Sequence, residues 1–151
     1  YKFHTIGGDL KLSFTMISSF ENFPKKINGD LIVMNGKIVS LDGIPEEVNG
    51  NVNLWGNKIR SVKDIHKKLK RMNGTLTLSL NPIKGPILGC LLIDGVKEIY
   101  SNDFQAPPVR DVDKLEAALH TISKYVGQGR AGVIDAQEKL DELDLGKFAE
   151  I

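Results

Sequence analysis

The amino-acid sequence predicts an α/β solenoid, a stack of short coils sharing a parallel β-sheet and closed by a C-terminal helical hairpin. Three observations carry that prediction. The strings Ile6-Gly7-Gly8-Asp9-Leu10, Ile27-Asn28-Gly29-Asp30-Leu31, Val48-Asn49-Gly50-Asn51-Val52 and Met72-Asn73-Gly74-Thr75-Leu76 recur at spacings of 21, 21 and 24 residues. Such self-similarity marks a repeat array, in which each unit buries its apolar face against its neighbours. Behind each string, apolar residues alternate with others, as in a strand with one buried face. From residue 111 onward the apolar period lengthens to that of a helix.

Aligning the units brings Leu10, Leu31, Val52 and Leu76 into one column, Leu12, Val33, Leu54 and Leu78 into the next, and Ile17, Ile38, Ile59 and Ile83 into a third. One short strand per unit is expected, with a return along Phe20/Phe23, Leu41/Ile44 and Val62/Ile65 on the opposite wall. The grammar L-x-L-x-x-N-x-I is that of a leucine-rich repeat. Its Asn satisfies backbone groups left unpaired where the chain turns. Units three and four supply that residue as Asn57 and Asn81; the first two carry Thr15 and Gly36. The Asn-Gly pairs at 28–29, 49–50 and 73–74 are expected to provide positive-φ turns into each strand.

The third unit is longer, and Val62, Ile65 and Leu69 at helical spacing predict one or two helical turns on the convex side. Leu88 to Ile93 reads as an apolar plug, and Val96 to Tyr100 as a final edge strand. Residues 101–110, with Pro107-Pro108, form a linker. Asp111 is placed to cap a helix whose Val112, Leu115, Leu119, Ile122 and Val126 share one face and which ends at Gly127–Gly129. A second helix from about Arg130 to Leu143 presents Val133, Ala136, Leu140 and Leu143; Leu145, Phe148 and Ile151 add an apolar tail. The division is a solenoid over 1–100 with repeats starting near 6, 27, 48 and 72, a linker over 101–110, and a helical cap over 111–151. Because Tyr1 falls inside material that already reads as repeat, further N-terminal sequence is expected, and with it the alternative that the chain is the C-terminal interaction domain of a longer enzyme.

Composition excludes several classes of function. The single cysteine, Cys90, rules out an internal disulfide framework and a Cys-based zinc site, and fits a reducing compartment. The longest apolar run, Ile87 to Ile93, is too short to span a bilayer, so no membrane partner is expected. His4, His66 and His120 have no carboxylate or Cys at ligand spacing; neither metal nor cofactor is expected. Without a Ser/His/Asp, Cys/His or paired-carboxylate arrangement, the chain is not expected to be an enzyme. Residues 127–132 spell G-x-G-x-x-G, but a helix precedes them and no acidic residue follows at the spacing a dinucleotide site needs. They read as the turn of the helical hairpin.

Two surfaces remain as candidates. Strand positions facing away from the core include Ile32, Met34, Asn53, Trp55 and Thr77, where Ile32, Met34 and the only Trp make an apolar patch on the concave face. Concave solenoid faces bind partners, and Trp and Met favour protein contacts. The second candidate is the stretch 58–71, whose Lys58, Arg60, Lys63, Lys67, Lys68, Lys70 and Arg71 are opposed within the stretch by Asp64 alone. Lys58, Arg60, Lys67, Lys68, Lys70 and Arg71 are its candidate phosphate ligands. No aromatic interleaves the stripe, and a balanced net charge of +1 is unlike that of a dedicated nucleic-acid binder, which makes nucleic acid the weaker expectation.

The repeat over residues 27–51, with Ser40, Leu41, Gly43, Pro45, Val48 and Gly50 in the pattern S-L-x-G-x-P-x-x-V-x-G, resembles the degenerate leucine-rich-like repeats of uncharacterised proteins from T-even-like tailed bacteriophages. Ser19, Phe20, Pro24, Ile27 and Gly29 repeat the pattern more weakly, and the tail from Leu115 to Ile151 is similar to the helical end of such proteins. The resemblance implies a phage protein in the host cytoplasm that binds a host or phage protein, for example by inhibiting a host defence or metabolic enzyme. It carries over no catalytic residue.

Overall fold

The structure, a computed structural model, describes residues 4–102 and 111–150. The expected linker from residue 103 to 110, the side chains of Asp111 and Val112, and Ile151 lie outside the described residues. The chain winds into a parallel β-solenoid of about five turns followed by C-terminal helices. Each of the first three coils contributes two strands rather than the one expected: β1 (Thr5–Ile6) and β2 (Leu10–Lys11), β3 (Lys26–Ile27) and β4 (Leu31–Ile32), β5 (Glu47–Val48) and β6 (Val52–Asn53). In the fourth coil β7 (Arg71–Thr77) runs unbroken and joins both ladders into one sheet of order β1-β3-β5-β7-β6-β4-β2. β8 (Asp94–Ile99) then adds to β7, also in parallel.

The register is the one the repeats predict, with Leu10, Leu31, Val52 and Leu76 as direct partners, and Ile6, Ile27 and Val48 likewise. Ile27, Leu31, Val33, Ile38, Val48, Val52, Leu54, Ile59, Leu76 and Leu78 are all fully buried. Each such side chain contributes roughly 1.5–3 kcal/mol by leaving water, so the columns are what hold successive coils together. Phe20 closes the opposite wall, edge-on to Phe23 with ring centroids 5.1 Å apart.

What splits each strand is an Asp or Asn at the bend. Asp9 Oδ1 accepts the Asp30 N–H at 2.7 Å, Asp30 Oδ1 accepts that of Asn51 at 2.7 Å, and Asn51 Oδ1 accepts that of Thr75 at 2.8 Å. A side-chain oxygen therefore stands in for the main-chain acceptor at this point of the ladder. The glycine beside it is needed for space: a Cβ on Gly29, Gly50 or Gly74 would lie 2.1, 2.2 and 2.2 Å from the carboxyl or amide oxygen of the preceding coil. This corrects the expectation of positive-φ turns, because only Gly74 of the three has a positive φ.

Left-handed residues do occur at other places, twice in each of the first three coils and once in the fourth. Phe14, Asn35, Gly56 and Leu80 form one column, at φ 55°, 54°, 75° and 57°, and Asn22, Gly43 and Asp64 the other, at 64°, 85° and 58°. Immediately after the first column the turn Asn does what was expected of it. Asn57 is buried, donates to the Val33 and Leu54 carbonyls at 2.7 and 3.0 Å, and accepts the Ile38 N–H at 3.3 Å. Asn81 repeats the pattern one coil later, to Leu54, Leu78 and the Ile59 N–H. Each bridges two coils, which is why its backbone partners can be buried without penalty.

The helical turn expected near 62–69 is α1 (Ile65–Lys68), with Val62, Ile65 and Leu69 buried. The apolar plug is a 3-10 turn over Leu88–Leu92. α2 (Asp111–Ser123) packs on β8 and on α3 (Gly129–Glu142), and α3 packs on the 3-10 turn. Leu115, Leu119, Ile122, Ala136 and Leu140 are buried as expected. Leu143 departs from the expected face and is 48% exposed, because the helix ends at Glu142 and Asp144 turns the chain at φ 62°. Leu145 and Phe148 then fold back into the core.

Candidate functional site

The strongest candidate lies on the outward side of the ladder. Strand alternation puts Ile32 beside Asn53 and Asn53 beside Thr77 in direct register. Two residues further on, Met34 neighbours Trp55, with the Asn35 N–H bonded to the Trp55 carbonyl at 2.9 Å. Ile32, Met34, Asn53 and Trp55 thus form a two-by-two patch whose members are all half-buried. Asn53 fixes it internally: its amide donates to Met34 Sδ at 3.5 Å, and its oxygen accepts the Trp55 N–H at 3.1 Å.

Thr77, the fifth residue expected there, is only 9% exposed and so is not presented with the other four. Next to it, the Ser79 hydroxyl donates to Glu116 Oε2 of α2 at 2.9 Å. The same carboxylate accepts the Leu80 N–H at 3.4 Å and the Asn102 N–H at 2.7 Å. α2 is thereby tied to the fourth-coil end of this face, while Ile32, Met34, Asn53 and Trp55 of the second and third coils stay partly exposed. Glu116 carries no signal in the sequence, since its partners lie 14 to 37 residues away.

The basic stripe is dispersed by the winding of the chain. Lys67 pairs with Asp64 at 3.8 Å, Lys68 with Asp42, Lys70 with Glu46 at 3.3 Å, and Arg71 with both Glu47 at 3.3 Å and Asp94 at 3.2 Å. Lys26 joins the same column through Glu47 at 3.2 Å, so charges alternate along it. Lys58, Arg60 and Lys63 make no ion pair among the described residues. Sequence counting missed the carboxylates because they arrive from neighbouring coils, 23 to 26 residues away. The Lys68 hydrogen bond, then its charge, and then a bond with Ser40 hold the Asp42 carboxyl below its ordinary pKa. Exposed pairs of this kind are screened by solvent, so they set charge balance more than stability.

A cavity of about 400 Å³ between α1, the 3-10 turn and α3 has apolar walls at Leu88, Leu92, Val133 and Ile134, with Lys63, Arg130 and Glu150 on its lining. Cys90 is fully buried, and desolvation pushes its thiol up to about 12. Among the described residues no three His, Cys, Asp or Glu side chains converge as a metal site would require, and no helix is long and apolar enough to cross a membrane. Of residues 127–132, expected as the hairpin turn, only Gly127 and Gln128 lie between α2 and α3; Gly129 to Gly132 form the first turn of α3.

Fold and surface together define a parallel β-solenoid with helices on its C-terminal end and an open strand face. The chain matches no protein-family model, no curated protein and no solved structure.

Proposed function

We propose that the chain is a non-enzymatic protein-binding module of the leucine-rich-repeat class, belonging to a tailed-bacteriophage protein that acts in the host cytoplasm. It engages a host or phage protein through Ile32, Met34, Asn53 and Trp55, and inhibition of a host defence or metabolic enzyme is the form this takes. The observation that supports this reading is the half-buried patch itself. Its Met and Trp stand side by side just past the ends of β4 and β6, held by the Asn53 bonds and partly exposed. Preorganised aromatic and Met side chains are the usual anchors of protein interfaces. Nucleic-acid binding is the weaker alternative, since Lys67, Lys68, Lys70 and Arg71 already face carboxylates.

The test is affinity capture from bacterial host lysate, run beside a Met34→Asp/Trp55→Asp variant with an unchanged circular dichroism spectrum. A protein retained by the parent and lost by the variant supports the reading. Equal capture by both removes the patch from consideration, and salt-sensitive capture of nucleic acid alone, lost with Lys58→Glu/Arg60→Glu, moves the function to the unpaired cations.

A further inference from the structure

Gly8 holds the same repeat position as Gly29, Gly50 and Gly74, yet the reason those three are glycine is missing at Gly8. A Cβ on each of the later glycines would strike the Asp or Asn oxygen of the preceding coil, whereas one on Gly8 would meet nothing within 4 Å. The Asp9 N–H likewise occupies the place of the Asp30, Asn51 and Thr75 N–H groups, each of which is bonded to that oxygen at 2.7–2.8 Å. The rest of the first coil is unfinished in the same way. Ile6, Leu10, Leu12 and Ile17 are only partly buried where their equivalents in the second coil are fully buried. Thr15 Oγ1, at the position where Asn57 and Asn81 reach back to a preceding coil, is buried without a partner among the described residues. The chain also arrives in phase: the His4 carbonyl accepts the Lys25 and Lys26 N–H groups at 3.1 Å, as the Lys25 carbonyl accepts those of Glu46 and Glu47.

We propose that the exposed edge of β1 and β2 is a docking surface for one further coil of the same repeat, laid parallel to them, continuous with the chain at His4 and carrying an Asp or Asn whose side-chain oxygen fills the space over Gly8. The argument is continuity with an interface the molecule already builds between its first four coils. An unpaired strand edge backed by partly buried apolar side chains is a template for one more strand, and terminal coils of solenoids need covering. A second copy does not fit. Its far end is covered by α2 on β8, and two first coils set edge to edge would either run antiparallel or turn their interiors to opposite sides.

The experiment fuses a copy of residues 26–42 directly before Tyr1, which keeps the 21-residue period in phase and sets a copy of Asp30 over Gly8. A second extension, copied from residues 47–63, places a copy of Asn51 there. The expected result is a melting temperature higher by about 5 °C and exchange of the Asp9 amide slowed at least about tenfold. Gly8→Ala is expected to be silent in the 151-residue chain and to cancel the gain in the extended one. Failure of both extensions to raise stability or protect Asp9 overturns the proposal, as does a gain indifferent to Gly8→Ala. Protection by the same coil added as a separate peptide, and not by the fusions, also overturns it by assigning the edge to another chain.

Discussion

Ser79 of the fourth coil and Glu116 of α2 are joined by a 2.9 Å hydrogen bond in which the serine hydroxyl donates to a carboxylate that is only 3% exposed. Because Leu80 and Asn102 donate to the same group, one side chain ties the cap to the end of the strand face and to the segment after β8. It thereby sets which part of that face stays open. A solenoid needs its last coil covered, and the polar anchor gives the covering helix a single position where apolar contact alone would allow sliding.

Removing that anchor has a calculable effect. Glu116→Ala leaves three donors without their acceptor, and hydrogen bonds to a charged group contribute about 1.5–3 kcal/mol each, non-additively. A loss of about 3 kcal/mol in urea unfolding is expected, with Glu116→Gln recovering part of it because its amide oxygen still accepts. A loss under about 0.5 kcal/mol for the Ala variant would show that apolar packing alone positions α2.

The turn asparagines and Thr15 give effects of opposite sign at equivalent positions. Asn57→Ala orphans the buried Ile38 N–H and removes the donor from the Val33 and Leu54 carbonyls, for an expected cost of about 2–3 kcal/mol. Thr15→Val removes a hydroxyl that has no partner and keeps its shape, so it is expected to be neutral or to stabilise by up to about 1 kcal/mol. Paired thermal melts decide the matter, and a destabilising Thr15→Val would mean that its hydroxyl is satisfied by water.

The columns of Leu31, Val52 and Leu76 and the job of Asn57 were legible because burial at fixed spacing leaves a periodic trace in the sequence. The first strand of each coil was not. Lys26–Ile27 and Glu47–Val48 are two residues long, too short for alternation to register, and they form only because neighbouring coils complete their hydrogen bonds. The role of Gly29 and Gly50 was misread for a related reason, since the group that demands glycine comes from the coil before. On the candidate face, the outward positions of Ile32, Met34 and Trp55 follow from alternation, while the burial of Thr77 leaves no periodic trace in the sequence. Over 58–71 the partners of Lys68, Lys70 and Arg71 leave no local trace because those carboxylates come from neighbouring coils, whereas Lys67 pairs within the stretch with Asp64.

The Asp42–Lys68 pair makes a pH prediction whose sign follows from the lowered carboxyl pKa. A group depressed in the folded state stabilises the fold above its unfolded pKa, and that contribution is lost as pH falls through the folded value. Carbon-13 NMR of the Asp42 carboxyl is expected to give a midpoint below the ordinary 3.8, moving up in Lys68→Gln. Any stability difference between parent and variant should shrink on acidification through that range. An unchanged midpoint in Lys68→Gln would mean that the pair does not persist in solution.

Cys90 sets the corresponding prediction at alkaline pH. Its thiol is raised from 9.0 to about 12 by desolvation in the core, chiefly beneath the 3-10 turn it belongs to. The thiolate is the reactive form, so at pH 8 only roughly one folded molecule in ten thousand carries it. Ellman's reagent is therefore expected to leave the native protein unmodified and to label one thiol per chain in denaturant. The same shift makes the unfolded chain lose its thiol proton first, so stability falls as pH rises from about 9 toward 12. Cys90→Ala should flatten that alkaline slope even where the smaller side chain lowers stability overall. Rapid labelling of the folded protein at neutral pH would show that the 3-10 turn opens, and with it the contact through which α3 holds the end of the solenoid.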